Sequence, residues 1–204
     1  MLFRSGDAVA ANLTITPERE AIVDFSAPIG TGVKEIVVTG PKSPPLEHLD
    51  DLAGKDVRVR KSSSYATHLA ALNATFQARG LNPMKIGDLP EEIEDEDAME
   101  MVSAGMLTLA IVDKHKADIW VGVYPGLKAR ADLAVHEGGA IAWAIRKNSP
   151  KLKAELDAFM AAHAIGTSFG NTVYRRYFGG RNAVKGATSG EAESRFQALL
   201  ETFR

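Results

Sequence analysis

The chain has 204 residues, 45% of them hydrophobic and 25% charged, and a formal net charge of −2. This is the composition of an ordinary globular chain with no broad basic field, so nucleic acid is not an expected partner. The absence of cysteine excludes a disulfide framework, a thiolate nucleophile and a cysteine zinc site, and it is compatible with an oxidising compartment.

Met1–Ser5 is too short for a signal peptide and reads as a non-native scar ahead of Gly6. No run reaches the ~18 apolar residues of a membrane span. Asp7–Leu13 is predicted as a buried strand of small apolar residues, breaking into Asn12, Thr14 and Thr16. Thr16 suits an N-cap and Pro17 the first position of a short helical turn over Glu18–Val23. Free N–H groups at that turn and the planar fork of Arg19 would favour an anion. A plain cap with a solvated Arg19 fits the same residues, and spacing leaves both open. Asp24–Gly32 reads as a glycine-punctuated loop, Val33–Thr39 as a Val/Ile strand closed by Gly40-Pro41, and Lys42–Pro45 as a linker. Together they look like a crossing between two lobes.

Leu46–Leu52 is predicted as a short helix ended by Gly54, and Asp56–Arg60 as a half-buried strand. The cluster Ser62, Ser63, Ser64, Tyr65 then opens a helix running to Arg79. Hydroxyls and free N–H groups converge there, giving either a second anion-receptive turn or a redundant cap. Asn82–Ile86 reads as a strand. The acidic run Glu91–Asp97 is consecutive and lacks the spacing of a calcium loop, so it reads as a solvated helix start, with no metal expected. Ala98–Ala104 continues that helix, and Leu107–Val112 is an apolar strand. Asp113 stands at its carboxyl end, where open α/β sheets meet their ligands.

Lys114–Val123 is predicted helical. The five histidines, His48, His68, His115, His136 and His163, show no paired ligand spacing and suit surface or cap roles. Leu133–His136 and Ala140–Ile145 read as two strands around a second crossing at Glu137-Gly138-Gly139. Helices are expected from Ser149-Pro150 onward and over Gly166–Phe178, then a loop over Gly179–Gly190 and an amphipathic Glu191–Arg204.

Alternating strands and helices predict an α/β fold with parallel β–α units. Two crossings divide it into a partial outer lobe (6–32), a middle lobe (33–139), the outer lobe's return (140–180), and a linker with a helix (181–204). A cleft between the lobes would set Arg19 against the serine turn and Asp113. A cation, hydroxyls and an anion facing one another fit an amino-acid-like zwitterion.

The stretches Leu13-Thr14-Ile15-Thr16-Pro17-Glu18-Arg19, Val23-Asp24-Phe25-Ser26, Leu52-Ala53-Gly54-Lys55-Asp56-Val57 and Ala110-Ile111-Val112-Asp113 resemble the family 3 periplasmic solute-binding proteins of ABC transporters. The resemblance implies a two-lobed, type II periplasmic-binding-protein-like fold whose discontinuous outer lobe lacks its first β–α units here. It implies that Arg19 holds a ligand α-carboxylate supported by Thr14 and Ser64, that Asp113 binds the α-amino group, and that Asn12 and Tyr65 add backbone contacts. With Ser63 of the serine turn, these make the expected ligand site. The family's usual Gly-Ser/Thr turn is replaced by Ser62-Ser63-Ser64-Tyr65, so Tyr65 is expected to narrow the pocket.

Val59–Tyr65, Glu94–Gly105, Gly166–Asn171 and the tail Ser194–Arg204 further resemble the regulatory, solute-binding-like domain of the membrane-bound lytic transglycosylase F family. That resemblance implies a non-catalytic periplasmic module, without cofactor, binding amino-acid or muropeptide-like ligands. It implies a covalently linked transglycosylase domain beyond Arg204, and membrane attachment only through a segment ahead of this chain, with the parent protein associated with the outer membrane. Glu193-Ser194 lacks the surroundings of a catalytic acid. The alternative is a stand-alone amino-acid-binding subunit of an ABC transporter, which normally finishes near a motif like Tyr177-Phe178-Gly179.

Overall fold

The computed structural model describes residues 6–178. Its elements in chain order are β1 (Ala8–Thr14), α1 (Pro17–Glu20), β2 (Asp24–Phe25), β3 (Gly30–Thr39), β4 (Asp56–Arg60), α2 (Ser64–Ala78), β5 (Lys85–Leu89), α3 (Asp95–Ser103), β6 (Leu109–Asp113), α4 (Lys114–Trp120), β7 (Lys128–Ile145), α5 (Pro150–His163) and α6 (Ser168–Phe178). The expected loop at Gly179–Gly190 and helix at Glu191–Arg204 lie outside the described residues.

Two long strands carry both lobes. β3 and β7 pair antiparallel along their lengths, while β1 and β2 pair β7 at one end and β6 pairs β3 at the other. The expectation of parallel β–α units holds only for β4 and β5, joined across α2. Elsewhere the paired strands are not neighbours in the chain, and their ladders run antiparallel. Leu133–His136 and Ala140–Ile145, expected as separate strands, are one continuous strand. Gly138 sits at φ 78, a conformation open to glycine because it lacks Cβ, and the β3–β7 register slips between Val33 and Glu35. A bulge rather than a break thus joins the two expected strands.

The middle lobe buries two layers. Along β3, Val37 enters the layer under α2 with Leu69, Phe76 and Ile111, while Ile36 and Val38 enter the opposite layer with Met99, Val102 and Val112. That alternation is the period-two geometry of a strand covered on both faces. The outer lobe has a smaller core of Val23, Phe25, Ala142 and Ala144. β1 was expected to be buried. It instead alternates exposed and half-buried residues, with only Thr14 buried, because it is the edge strand of its sheet.

Several boundaries also move; α1 ends at Glu20 rather than Val23, and β2 and the start of β3 at Gly30 fall within the loop expected at Asp24–Gly32. The helix expected at Leu46–Leu52 is a single 3-10 turn over Leu49–Leu52. The strand expected at Asn82–Ile86 starts at Lys85, because the Asn73 amide takes both the N–H and the carbonyl of Met84. The helix expected to reach Val123 ends at Trp120. Among the described residues no helix is long and apolar enough to cross a membrane, and no group of His, Asp and Glu is placed to hold a metal.

Candidate functional site

The expected site residues lie around the point where Glu35 of β3 pairs with Asp113 of β6 and His136 of β7. On its outer-lobe side Pro17 opens α1 and Thr16 caps it, accepting the Arg19 N–H at 3.4 Å. This cap fixes the direction of Arg19. Its guanidinium donates from Nη1 to the Thr14 carbonyl and from Nη2 to the Ser62 carbonyl, each at 2.8 Å. Arg19 thus ties the outer lobe to the middle lobe through main-chain oxygens. An arginine has five N–H donors in a planar fork, and these two bonds use two of them. Burial lowers its pKa, while Glu35, Tyr65 and Asp113 act against that shift.

On the middle-lobe side the N-terminus of α2 supplies three side chains with separate tasks. Ser63 caps the helix, accepting the Ala66 N–H and donating to the Arg60 carbonyl at 2.6 Å. Ser64 donates to Glu35 Oε1 at 2.7 Å. Tyr65 donates to Asp95 Oδ2 at 2.9 Å and accepts the Asp113 N–H at 3.1 Å. Its ring belongs to the core under α2, so its bulk packs inward rather than narrowing the cleft. Asp95 is further held by Lys116 Nζ at 2.5 Å and Arg60 Nη2 at 3.4 Å.

Asp113 closes this wall. It is 3% exposed, and its Oδ1 has no hydrogen-bond partner among the described residues. Burial raises its pKa to about 7, opposed by Lys116 and reinforced by the Glu35 and Asp95 charges. A buried carboxyl oxygen without a donor is costly, so this atom is open to a donor from water, an ion or a ligand. Of the expected site residues, Thr14, Arg19, Ser63, Ser64 and Tyr65 therefore come together around one junction, with Asp113 beside Tyr65 and within electrostatic reach of Arg19. Asn12 lies on the exposed face of β1, where it lines a cavity of about 760 Å³ with Ile29, Lys114, Trp143, Phe159 and Phe169.

Sequence reasoning missed the group behind Ser64. Glu35 is 1% exposed, with His68 Nδ1 at 2.7 Å from Oε2. The His68 ring stacks on His136 with centroids 3.7 Å apart and planes 6° apart. These two histidines are half-buried and held by each other and by Glu35, where surface or cap roles were expected. The available signal was an acid heading the apolar run Ile36-Val37-Val38, since a carboxylate at a core strand position demands partners.

With this geometry in place, known proteins supply the context. The profile of the bacterial extracellular solute-binding proteins, family 3, matches residues 3–180. A membrane-bound lytic murein transglycosylase F of Desulfosudis oleivorans is 27% identical over 173 residues, covering 85% of this chain and 36% of the relative. Its namesake in Pseudomonas syringae pv. syringae is 29% identical over 152 residues, covering 74% and 29%. The chain thus spans about a third of the length of these curated relatives. An ancestral arginine-binding protein bound to arginine superposes with a TM-score of 0.67 at 23% identity, over 84% of this chain and 71% of the other. A putative L-cystine ABC transporter protein from Listeria monocytogenes gives 0.69 at 18% identity, over 85% and 70%. At such identities the structures establish the fold alone, a mixed α/β type II periplasmic-binding architecture. The profile match over residues 3–180 places the chain in a family, and it is a member of the bacterial extracellular solute-binding proteins, family 3.

Proposed function

We propose that this chain is a non-catalytic, ligand-binding regulatory module of a periplasmic lytic murein transglycosylase, taking amino-acid or muropeptide-like ligands between its lobes. The observation that carries the reading is the buried, donor-less Oδ1 of Asp113 on a wall that Arg19 reaches from the other lobe. In this reading the middle lobe comprises residues 33–139, residues 6–32 and 140–180 belong to the outer lobe, and 181–204 lead to the catalytic domain. Asp113 takes the ligand's ammonium group, Arg19 faces its carboxyl end, and Asn12, Thr14, Ser63, Ser64 and Tyr65 frame the cleft. The similarity to proteins named membrane-bound lytic murein transglycosylase F supports the link to a transglycosylase. Ligand binding can regulate a linked domain only through a difference in affinity between open and closed forms.

Calorimetric titration with free amino acids and with muropeptides tests the reading. Saturable binding of either class, with small-angle scattering reporting compaction, is the expected result. No binding by either class overturns it. Transport service is the competing role, and neighbouring permease and ATPase genes in place of a downstream transglycosylase domain would favour it.

A further inference from the structure

Resting on the reading above, one residue that neither the sequence motifs nor the family match assigns bears on which ligands enter the cleft. We infer that Glu35 sets the charge class of the ligand, favouring an amine whose neighbouring carboxyl is masked, as at a peptide N-terminus, over a free amino acid.

The argument begins with the donors. Ser64, expected to support a ligand carboxylate, has already given its hydroxyl to Glu35 Oε1 at 2.7 Å. The other Glu35 oxygen faces His68 Nδ1 at 2.7 Å, so both oxygens are held and the carboxylate is fixed in place. Glu35 also stands directly opposite Asp113 in the β3–β6 ladder. Opposed residues of an antiparallel pair project from the same face with Cβ atoms about 4.5–5.5 Å apart. Glu35 is the first of the charges that act on Arg19 in favour of its cationic form. Arg19 therefore lies in the field of an internal carboxyl group while its own bonds go to main-chain oxygens.

The remaining charges are matched differently. Asp95 has Lys116, Arg60 and the Tyr65 hydroxyl. Asp113 Oδ1, by contrast, has no donor among the described residues. The cleft thus calls for one more cation or N–H donor. A second carboxylate at the Ser64 turn would meet Glu35 as a like charge inside a weakly screened site. An amide oxygen at the same place keeps an acceptor for Arg19 and brings no charge.

The test uses the smallest side chain, which a cleft built for larger ligands still admits. L-alaninamide, L-alanine and N-acetyl-L-alanine are titrated at pH 8 into the native chain and into Glu35→Gln and Glu35→Asp, with amide chemical shifts as a readout that reaches millimolar affinities. The native protein should bind alaninamide at least about tenfold more tightly than alanine, with N-acetylalanine weakest. Glu35→Gln should erase or invert the preference between alaninamide and alanine, and Glu35→Asp, which keeps the charge, should retain it. Alanine binding as tightly as alaninamide in the native protein overturns the inference, as does a preference that Glu35→Gln leaves unchanged. The native ranking decides the matter even where the Gln variant fails to fold. Binding of free amino acids with such an unchanged ranking sinks this inference while leaving the cleft's proposed function standing. No response to any of the three overturns the inference, and together with no binding of muropeptides it overturns the proposed function as well.

Discussion

Glu35 on β3 is paired directly with Asp113 on β6 and with His136 on β7, so three titratable groups form one row across the sheet. Each has a different supply of partners, and the row's response to pH and to substitution follows from that difference.

Arg19→Ala should weaken ligand binding by about 1.5–3 kcal/mol, the scale of a hydrogen bond to a charged group. Calorimetry on both proteins measures it. Affinity equal to the native value would place Arg19 outside the site.

Asp113 has a folded pKa of about 7, above its ordinary value of 3.8, chiefly because of burial. The folded state then holds its proton where the unfolded chain has lost it. The contribution of Asp113 to stability therefore falls as pH rises from about 4 to about 7, and it is constant above that. Asp113→Asn should gain in melting temperature relative to the native protein across that window, with the two converging near pH 4. Parallel melting curves from pH 4 to pH 8 would contradict the assignment. The same carboxyl must ionise to take an ammonium group, so affinity for amines should drop as pH falls below about 7.

His136 shifts in the opposite sense. Burial and the neighbouring His68 lower its pKa, with Glu35 opposing. The unfolded chain then takes up a proton before the folded one does. Stability from this group is present above the ordinary value of 6.5 and is lost as pH falls toward the lowered value. His136→Gln should flatten the loss of stability below pH 6.5, which melting at pH 5 and pH 7 will read.

Tyr65→Phe removes one hydroxyl that serves Asp95 and the Asp113 N–H together. Leaving a buried N–H without its acceptor costs about 1–3 kcal/mol, so urea unfolding should show a destabilisation of that size. A change below about 0.5 kcal/mol, the scale of an inert surface substitution, would mean that Asp113 is held by other contacts.

The regular elements were legible because their signals are local. Asp56–Arg60 forms the strand its alternation predicts, and Thr16-Pro17 caps α1 as its residue types predict. Strand direction was not legible, since which strands lie side by side depends on contacts between distant segments such as β1 and β7. The residues around Arg19, Ser64 and Asp113 could be named from motif and position. Their hydrogen bonds could not, because Ser64 meets Glu35 across 29 positions of sequence and Arg19 meets Ser62 across 43. The stacking of His68 on His136 was not legible for the same reason, as neither shows its neighbour within its own helix or strand.

The two main-chain oxygens that hold Arg19 have a kinetic consequence. A ligand that engages the same guanidinium edges must exchange with the Ser62 carbonyl, whose bond also spans the lobes. Breaking that bond and freeing the cation for a ligand are then one event. Association should include this exchange as a step of its own, and its observed rate should level off at high ligand concentration. The rate at which Arg19 leaves the Ser62 carbonyl would set that ceiling.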